Sequence, residues 1–248
     1  MIVDELIEYV KKDSEKRVIK DIRVGIGYVA TLLDDNSCGL AFIFRNELGP
    51  KCGHLDNAGE LKGAKCSDII DWAIDINLVK ASIGISVINA ILQKDLKGYK
   101  KIDALKEIEI KCEDTVGVIG YFKPVLDEKK QFAKKIYVFE RNITDEKLLL
   151  PDWAEDMYLP LCDVVIITGT TLVNKTIDHI LSLSKNAREV LLMGPTTPLC
   201  REIFKKHGVT MLAGIKVLNP LKILDIAGEG GGGLNLKSNV EQLCARII

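Results

Sequence analysis

The second half of the chain alternates two rhythms, and that alternation constrains the fold more than any other feature. TVGVIGYF (115–122), KIYVFE (135–140), DVVIITG (163–169), EVLLMG (189–194) and VTMLAG (209–214) are short apolar runs bounded mostly by glycine or an acid. Between several of them lie segments with helical spacing, VNKTIDHILSLSK (173–185) and PLCREIFKKHG (198–208). Strands apolar at successive positions are buried on both faces, so the pattern predicts a mainly parallel sheet covered by helices. Such a doubly wound, Rossmann-like α/β domain binds its ligand outside the carboxyl ends of the strands.

The first half has a different grammar. A helix is expected over Ile2–Lys12, apolar at Ile2, Leu6, Tyr9 and Val10. Two strands, Asp21–Leu33 and Cys38–Arg45, flank Asp34-Asp35-Asn36-Ser37, a polar tetrad that reads as a hairpin turn. A glycine-rich loop (48–65) leads to SDIIDWAIDI, a helix capped by Ser67, and then to the small-residue helix LVKASIGISVINAIL, where Ala81, Ser82, Gly84 and Ser86 suit close packing. Helix, antiparallel strands and packed helices make an α+β domain. Apolar periodicity weakens near Gly98–Lys111, which divides the chain into domains 1–105 and 106–248. Ser238 and Glu241 form a capping box for a last helix.

Composition excludes some function classes. Lys and Arg number 34 against 35 Asp and Glu, leaving no electrostatic case for nucleic acid. No apolar run reaches the ~18–20 residues of a membrane span. The opening MIVDELIEYVKK carries acids inside an amphipathic pattern, unlike a signal peptide. Seven cysteines are scattered, odd in number and without CxxC, which suits reduced thiols and a cytoplasmic location. Homo-oligomer formation is left open.

Chemistry is sought at the strand ends. Gly117-Val-Ile-Gly120 is not the GxGxxG of a diphosphate cradle, and Pro124 falls where a helix should start, so NAD or FAD is disfavoured. Glu140 ends the second strand, twenty positions after Gly120; it suits ribose hydroxyls, or else a surface pairing with Arg141 or a lysine. Thr168, Gly169, Thr170 and Thr171 end the third strand, with Asn174 in the expected first turn of a helix. Three threonines exceed what capping requires, and they suit a multiply hydrogen-bonding ligand or an anion. Gly194, Pro195, Thr196 and Thr197 end the fourth, with Thr197-Pro198 as an N-cap pair. Gly230–Gly233 provide close backbone approach to a ligand, a lid, or simply a loop. The metal candidates are Cys52 and His54, with Asp56 nearby, short of the spaced clusters of a zinc site.

The order GVIGYF, VFE140, ITGTTLVN (167–174) and GPTTPL (194–199) resembles a heavy-metal-chelation family, and AGELKG (58–63) with GISVINA (84–90) resembles the enolase N-terminal-like domain that precedes the Rossmann-like one in that family. The resemblance spans nearly the whole chain. It implies a site in the cleft between the two domains, with Asn89 reaching in from the first and Glu140, Thr170, Thr171, Asn174 and the 194–198 turn lining the second. Hydroxyls and amides suit a heterocycle of pterin or tetrapyrrole type, one that carries the metal, better than a naked soft ion. In a catalytic reading Glu140 is general base or metal ligand, while Asn89 and Asn174 orient the ligand. The alternatives are a non-catalytic carrier of a nucleotide-like ligand such as S-adenosylmethionine, and a structural subunit with a vestigial cleft.

Overall fold

The computed structural model describes residues 1–50, 52–123, 127, 129, 131–141 and 149–247; Pro124 lies outside them. An opening helix, α1 (Ile2–Ser14), precedes a three-stranded antiparallel sheet of β1 (Ile19–Val24), β2 (Tyr28–Leu33) and β3 (Cys38–Phe42). The expected strand Asp21–Leu33 is folded back on itself, with Val24 paired to Val29 across Gly25–Gly27. A side chain at Gly25 would put its Cβ 1.8 Å from the Ala227 carbonyl, so this turn depends on glycine for tertiary contact. The Asp34–Ser37 turn forms as read, with Asn36 at φ 64° and the Leu33 N–H donating to Ser37 O at 2.9 Å.

Helix α2 (Leu78–Leu92) matches the expected segment, capped by Asn77, whose Oδ1 accepts from the N–H groups of Val79 (2.9 Å) and Lys80 (3.3 Å). Its small residues set its depth. A Cβ on Gly39 of β3 would lie 2.1 Å from Ser86 O, and one on Gly84 would lie 2.2 Å from the Ala73 nitrogen. The chain wedged against Gly84 is two 3₁₀ turns, Cys66–Asp68 and Ile70–Ile74, where a single helix was expected. The Ser67 hydroxyl turns to the Asp68 carboxylate rather than capping. Tight packing overrides helix propensity in this segment.

The larger sheet comprises β4 (Thr115–Ile119), β5 (Lys135–Glu140), β6 (Leu149–Pro151), β7 (Val164–Thr168), β8 (Glu189–Met193), β9 (Met211–Val217) and β10 (Val240–Arg246). Its order is β10-β9-β8-β7-β4-β5-β6, parallel throughout except for β10. The protein is therefore α/β, with a seven-stranded, mostly parallel sheet beside a small antiparallel one. Strand β10 replaces the expected last helix. Its backbone pairs with β9 on one side and with Lys100 on the other, while Glu241 pairs with Lys101 at 2.9 Å instead of closing a capping box. Alternation decides the matter: Leu243 and Ala245 enter one core layer and Cys244 the other.

One sheet face, including Val165, Ile167 and Leu192, shares its core with α1, α2, α5 (Ile177–Leu183) and α6 (Arg201–Lys206). The opposite face, with Val118, Ile166 and Met211, is covered by Leu105 of α3 (Ala104–Glu107) and by Ile108. The small sheet has α2 on one side. On the other, Ala30, Leu32 and Leu40 pack against Ile223, Leu224 and Ala227 of α7 (Pro220–Gly228), so the chain's end completes a core begun near its start. Among the described residues no helix is long and apolar enough to cross a membrane.

Candidate functional site

From β4 the chain runs to β5 and β6 on one side and returns to β7 on the other, so the strand order reverses beside β4. Loops leaving the carboxyl ends diverge at such a point and open a crevice. A cavity of about 510 Å³ lies there, roofed by Tyr28 and Phe42 of the small sheet and by Phe44 just beyond it. Its size is that of a site for a small organic molecule.

Gly120 turns the chain out of β4 at φ 89°, its N–H donating to Phe139 O at 2.9 Å. Glu140 ties the two strand exits together. Its Oε2 accepts from the Tyr121 N–H at 3.0 Å and its Oε1 from the Arg141 N–H at 2.9 Å. Charge-assisted bonds of this kind hold the carboxylate at the cavity wall while leaving lone pairs free. The Arg141 guanidinium is engaged elsewhere, with Glu47 at 3.0 Å and Asp152 at 3.3 Å, so the surface pairing weighed for Glu140 is not made with Arg141.

The threonines are placed differently from the sequence expectation. Gly169–Leu172 is one 3₁₀ turn, and α5 starts only at Ile177. Between them Asn174 Oδ1 accepts from both the Thr176 N–H (3.2 Å) and its hydroxyl (2.8 Å), and Lys175 stands at φ 63°; this Asx turn stops the helix from beginning early. Thr168 Oγ1 lies 3.1 Å from Thr170 Oγ1, and the Thr171 hydroxyl donates to Thr168 O at 2.7 Å. Thr168, Gly169, Thr170, Thr171 and Asn174 all line the cavity. They do so from a turn, not from the N-terminus of a regular helix.

A similar correction applies after β8. Helix α6 begins at Arg201, so Thr197-Pro198 is not a cap. Gly194 (φ 119°), Pro195 and Thr196 line the cavity, and Thr196 Oγ1 accepts from the Phe42 N–H at 3.0 Å, joining this turn to the small sheet. Thr197 points away: a Cβ on Gly169 would sit 2.5 Å from its hydroxyl, so the turns after β7 and β8 are in contact. Asn89 is not among the cavity's lining residues. Its Nδ2 donates to Leu40 O (2.8 Å) and Thr196 O (3.0 Å), which makes it a buried clip behind the wall.

Three other candidates stay outside the cavity. Gly230 packs on Ile26, where a Cβ would meet that side chain at 2.9 Å, although Gly232 and Gly233 border an adjoining cavity of about 400 Å³. Cys52 is exposed, and His54 contributes its carbonyl to Asn77 Nδ2 at 2.8 Å; neither borders the main cavity. Among the described residues no three His, Cys, Asp or Glu side chains come together to hold a metal ion.

Sequence reasoning missed the acidic end of the cavity, made by Asp152, Glu155 and Asp156 around Trp153, with His179 of α5 opposite. Glu155 starts the short helix α4 (Glu155–Tyr158) and is only 8% exposed. Burial pushes its carboxyl up to about 7, and the charges of Asp152 and then Asp156 add to the effect against the opposing pull of His179 and Arg141. His179 Nε2 sits 3.2 Å from Asp156. The available signal was three acids within the five residues DWAED (152–156).

These features define an α/β protein with a small-molecule-sized cavity at the point where its parallel sheet reverses. Residues 103–245 match a family described as "Putative heavy-metal chelation", residues 4–92 match a second model with the same description, and the chain belongs to that family. It is 29% identical over 235 residues to an uncharacterized protein of Methanocaldococcus jannaschii, covering 90% of each. A crystal structure of a Pyrococcus horikoshii protein of the same family, of unknown function, superposes with a TM-score of 0.88 at 26% identity, covering 99% of this chain and 100% of that one. A family member from Desulfitobacterium hafniense gives 0.83 at 24% identity over 99% and 96%, a likeness of fold.

Proposed function

We propose that the cavity binds a planar heterocyclic molecule that itself carries the metal, so that chelation is performed by the bound organic ligand. We read the large sheet as Rossmann-like, the first part of the chain as enolase N-terminal-like, and the cavity as the cleft between these two domains. The observation that carries the proposal is the cavity's lining: aromatic rings from the small sheet on one side, hydroxyl-bearing turns and the fixed Glu140 carboxylate on the other. Rings and hydrogen-bonding edges match a flat heteroaromatic. Soft heavy metals favour thiolate and imidazole donors, and the cavity wall offers hydroxyl, carboxylate and backbone oxygen with His179 as its one imidazole. The residues therefore do not fit a soft ion held directly.

Native mass spectrometry of protein purified without oxygen or chelators, compared with the denatured mass, tests this. A co-purifying heterocycle with its metal, lost in Glu140→Gln, is the expected result. Metal bound stoichiometrically without any organic component would overturn it.

A second reading has one observation in its favour: Glu140 ends the strand next to β4, where acids in dinucleotide-binding sheets hold ribose hydroxyls. On that reading the protein carries a nucleotide-like ligand such as S-adenosylmethionine without turnover. Calorimetric titration with S-adenosylmethionine separates the two: saturable binding abolished by Glu140→Gln favours the carrier.

A further inference from the structure

Glu155 borders the cavity while only 8% exposed; no described residue donates a hydrogen bond to its carboxyl, whose oxygens open onto the cavity. Its neighbours are already engaged. Asp152 faces Arg141 Nε at 3.3 Å, and Asp156 faces His179 at 3.2 Å. Glu140, Asp152, Glu155 and Asp156 thus line the cavity against Arg141 and, when protonated, His179. Arg141 is itself shared with Glu47 at 3.0 Å.

A carboxyl largely withdrawn from water and without a protein donor is costly to ionise in the free protein, and a partner delivered by a ligand offsets that cost. The flanking carboxylates restrict what can be delivered. An anion is repelled by Asp152 and Asp156, and a neutral acceptor leaves the excess of negative charge uncompensated. A cationic N–H donor both satisfies the carboxyl and balances the charge, and the ring of Trp153 beside it favours a cation further.

We propose that this end of the cavity is a subsite for a protonated nitrogen group, an amine or amidinium, with Glu155 as its direct partner. The inference rests on the cavity being a small-molecule site and names the chemistry its ligand presents there. It also fixes the response to pH. The groups facing Glu155 are Asp152 in the preceding turn, Asp156 on α4, His179 on α5 and Arg141 after β5. As pH rises Glu155 gives up its proton, and that change favours a bound cation. Binding therefore strengthens from mildly acid to mildly alkaline conditions.

Benzamidine is a suitable probe and benzamide its neutral counterpart, with amide NMR shifts of the folded protein as readout. Benzamidine is expected to perturb resonances of residues 152–156 and to bind roughly tenfold or more tightly than benzamide. Its affinity should rise with pH and fall to the benzamide level in Glu155→Gln. Equal affinity for the two probes, or an unchanged Kd in Glu155→Gln, overturns the subsite. Should that variant fold poorly, the pH profile of the wild type decides, and a flat profile overturns it equally. A heterocycle found by native mass spectrometry together with absent benzamidine binding removes the subsite and leaves the cavity reading intact. Absence of both removes both.

Discussion

Glu155 offers a stability test that needs no ligand. Its carboxyl is raised from an ordinary 4.5 to about 7, chiefly by burial. Below the lower value both folded and unfolded chains hold the proton and the group contributes nothing. Between the two values the unfolded chain releases its proton while the folded chain keeps it, so stability falls as pH rises. Above the folded value the loss is complete. At ~1.4 kcal/mol per pH unit the unscreened loss over this window is about 3 kcal/mol; because the carboxyl opens onto the cavity, solvent screening cuts it to roughly 1–2 kcal/mol. Glu155→Gln keeps the shape and removes the proton. Relative to wild type, it should gain roughly 1–2 kcal/mol between about pH 5 and about pH 8, or roughly 2–8 °C in Tm for a chain of this size. Thermal and urea unfolding at the two pH values measure the difference, and the comparison cancels whatever the buried amide costs at both. Parallel pH profiles for the two proteins would refute the reasoning, because they would mean that Glu155 ionises as easily in the fold as out of it.

Asn89→Leu removes the donor shared by Leu40 O and Thr196 O and should cost roughly 2–5 kcal/mol in urea unfolding. Gly39→Ala drives a Cβ to 2.1 Å from Ser86 O and pushes α2 off the small sheet; a loss of about 3 kcal/mol or more, or failure to fold, is expected from denaturation curves. Glu140→Gln turns an amide NH₂ toward one of the two backbone N–H groups, so a cost of about 1–3 kcal/mol should accompany its loss of ligand, read by calorimetry beside unfolding.

The parallel sheet was legible because β5, β7 and β8 are apolar at successive positions, and burial on both faces leaves that mark in any single sequence. Helix α2 was legible for a related reason: its small residues specify close packing from both sides. Strand β10 was not. VEQLCAR carries the polar spacing of a helix start, and what makes it a strand is the pair of backbone partners, β9 and Lys100, that only the assembled sheet supplies. Strand β6 is three residues long and ends in Pro151, too short for any periodicity. In the site, residues defined by a strand end were found, because position along the chain predicts them. The roof of Tyr28, Phe42 and Phe44 and the acids at 152–156 were not, since they reach the cavity through tertiary contact.

That division bears on how the site works. The residues readable from sequence turn out to be largely occupied in building the wall: Glu140 binds two backbone N–H groups, Thr196 holds the Phe42 N–H, and Asn174 holds Thr176. Glu140 ties together the exits of β4 and β5, Asn174 shapes the loop after β7, and Thr196 joins the turn after β8 to the small sheet. Groups whose hydrogen-bonding capacity is spent inside the protein set shape, and groups with capacity left over set what binds. Glu155 lines the cavity with no hydrogen bond from a described residue to its carboxyl. The TGTTLVN and GPTTPL segments therefore speak to the scaffold of the cavity. On the proposed reading the choice of ligand would lie with the acid-rich stretch Asp152–Asp156, where substitutions should change what is bound while leaving the fold as it is.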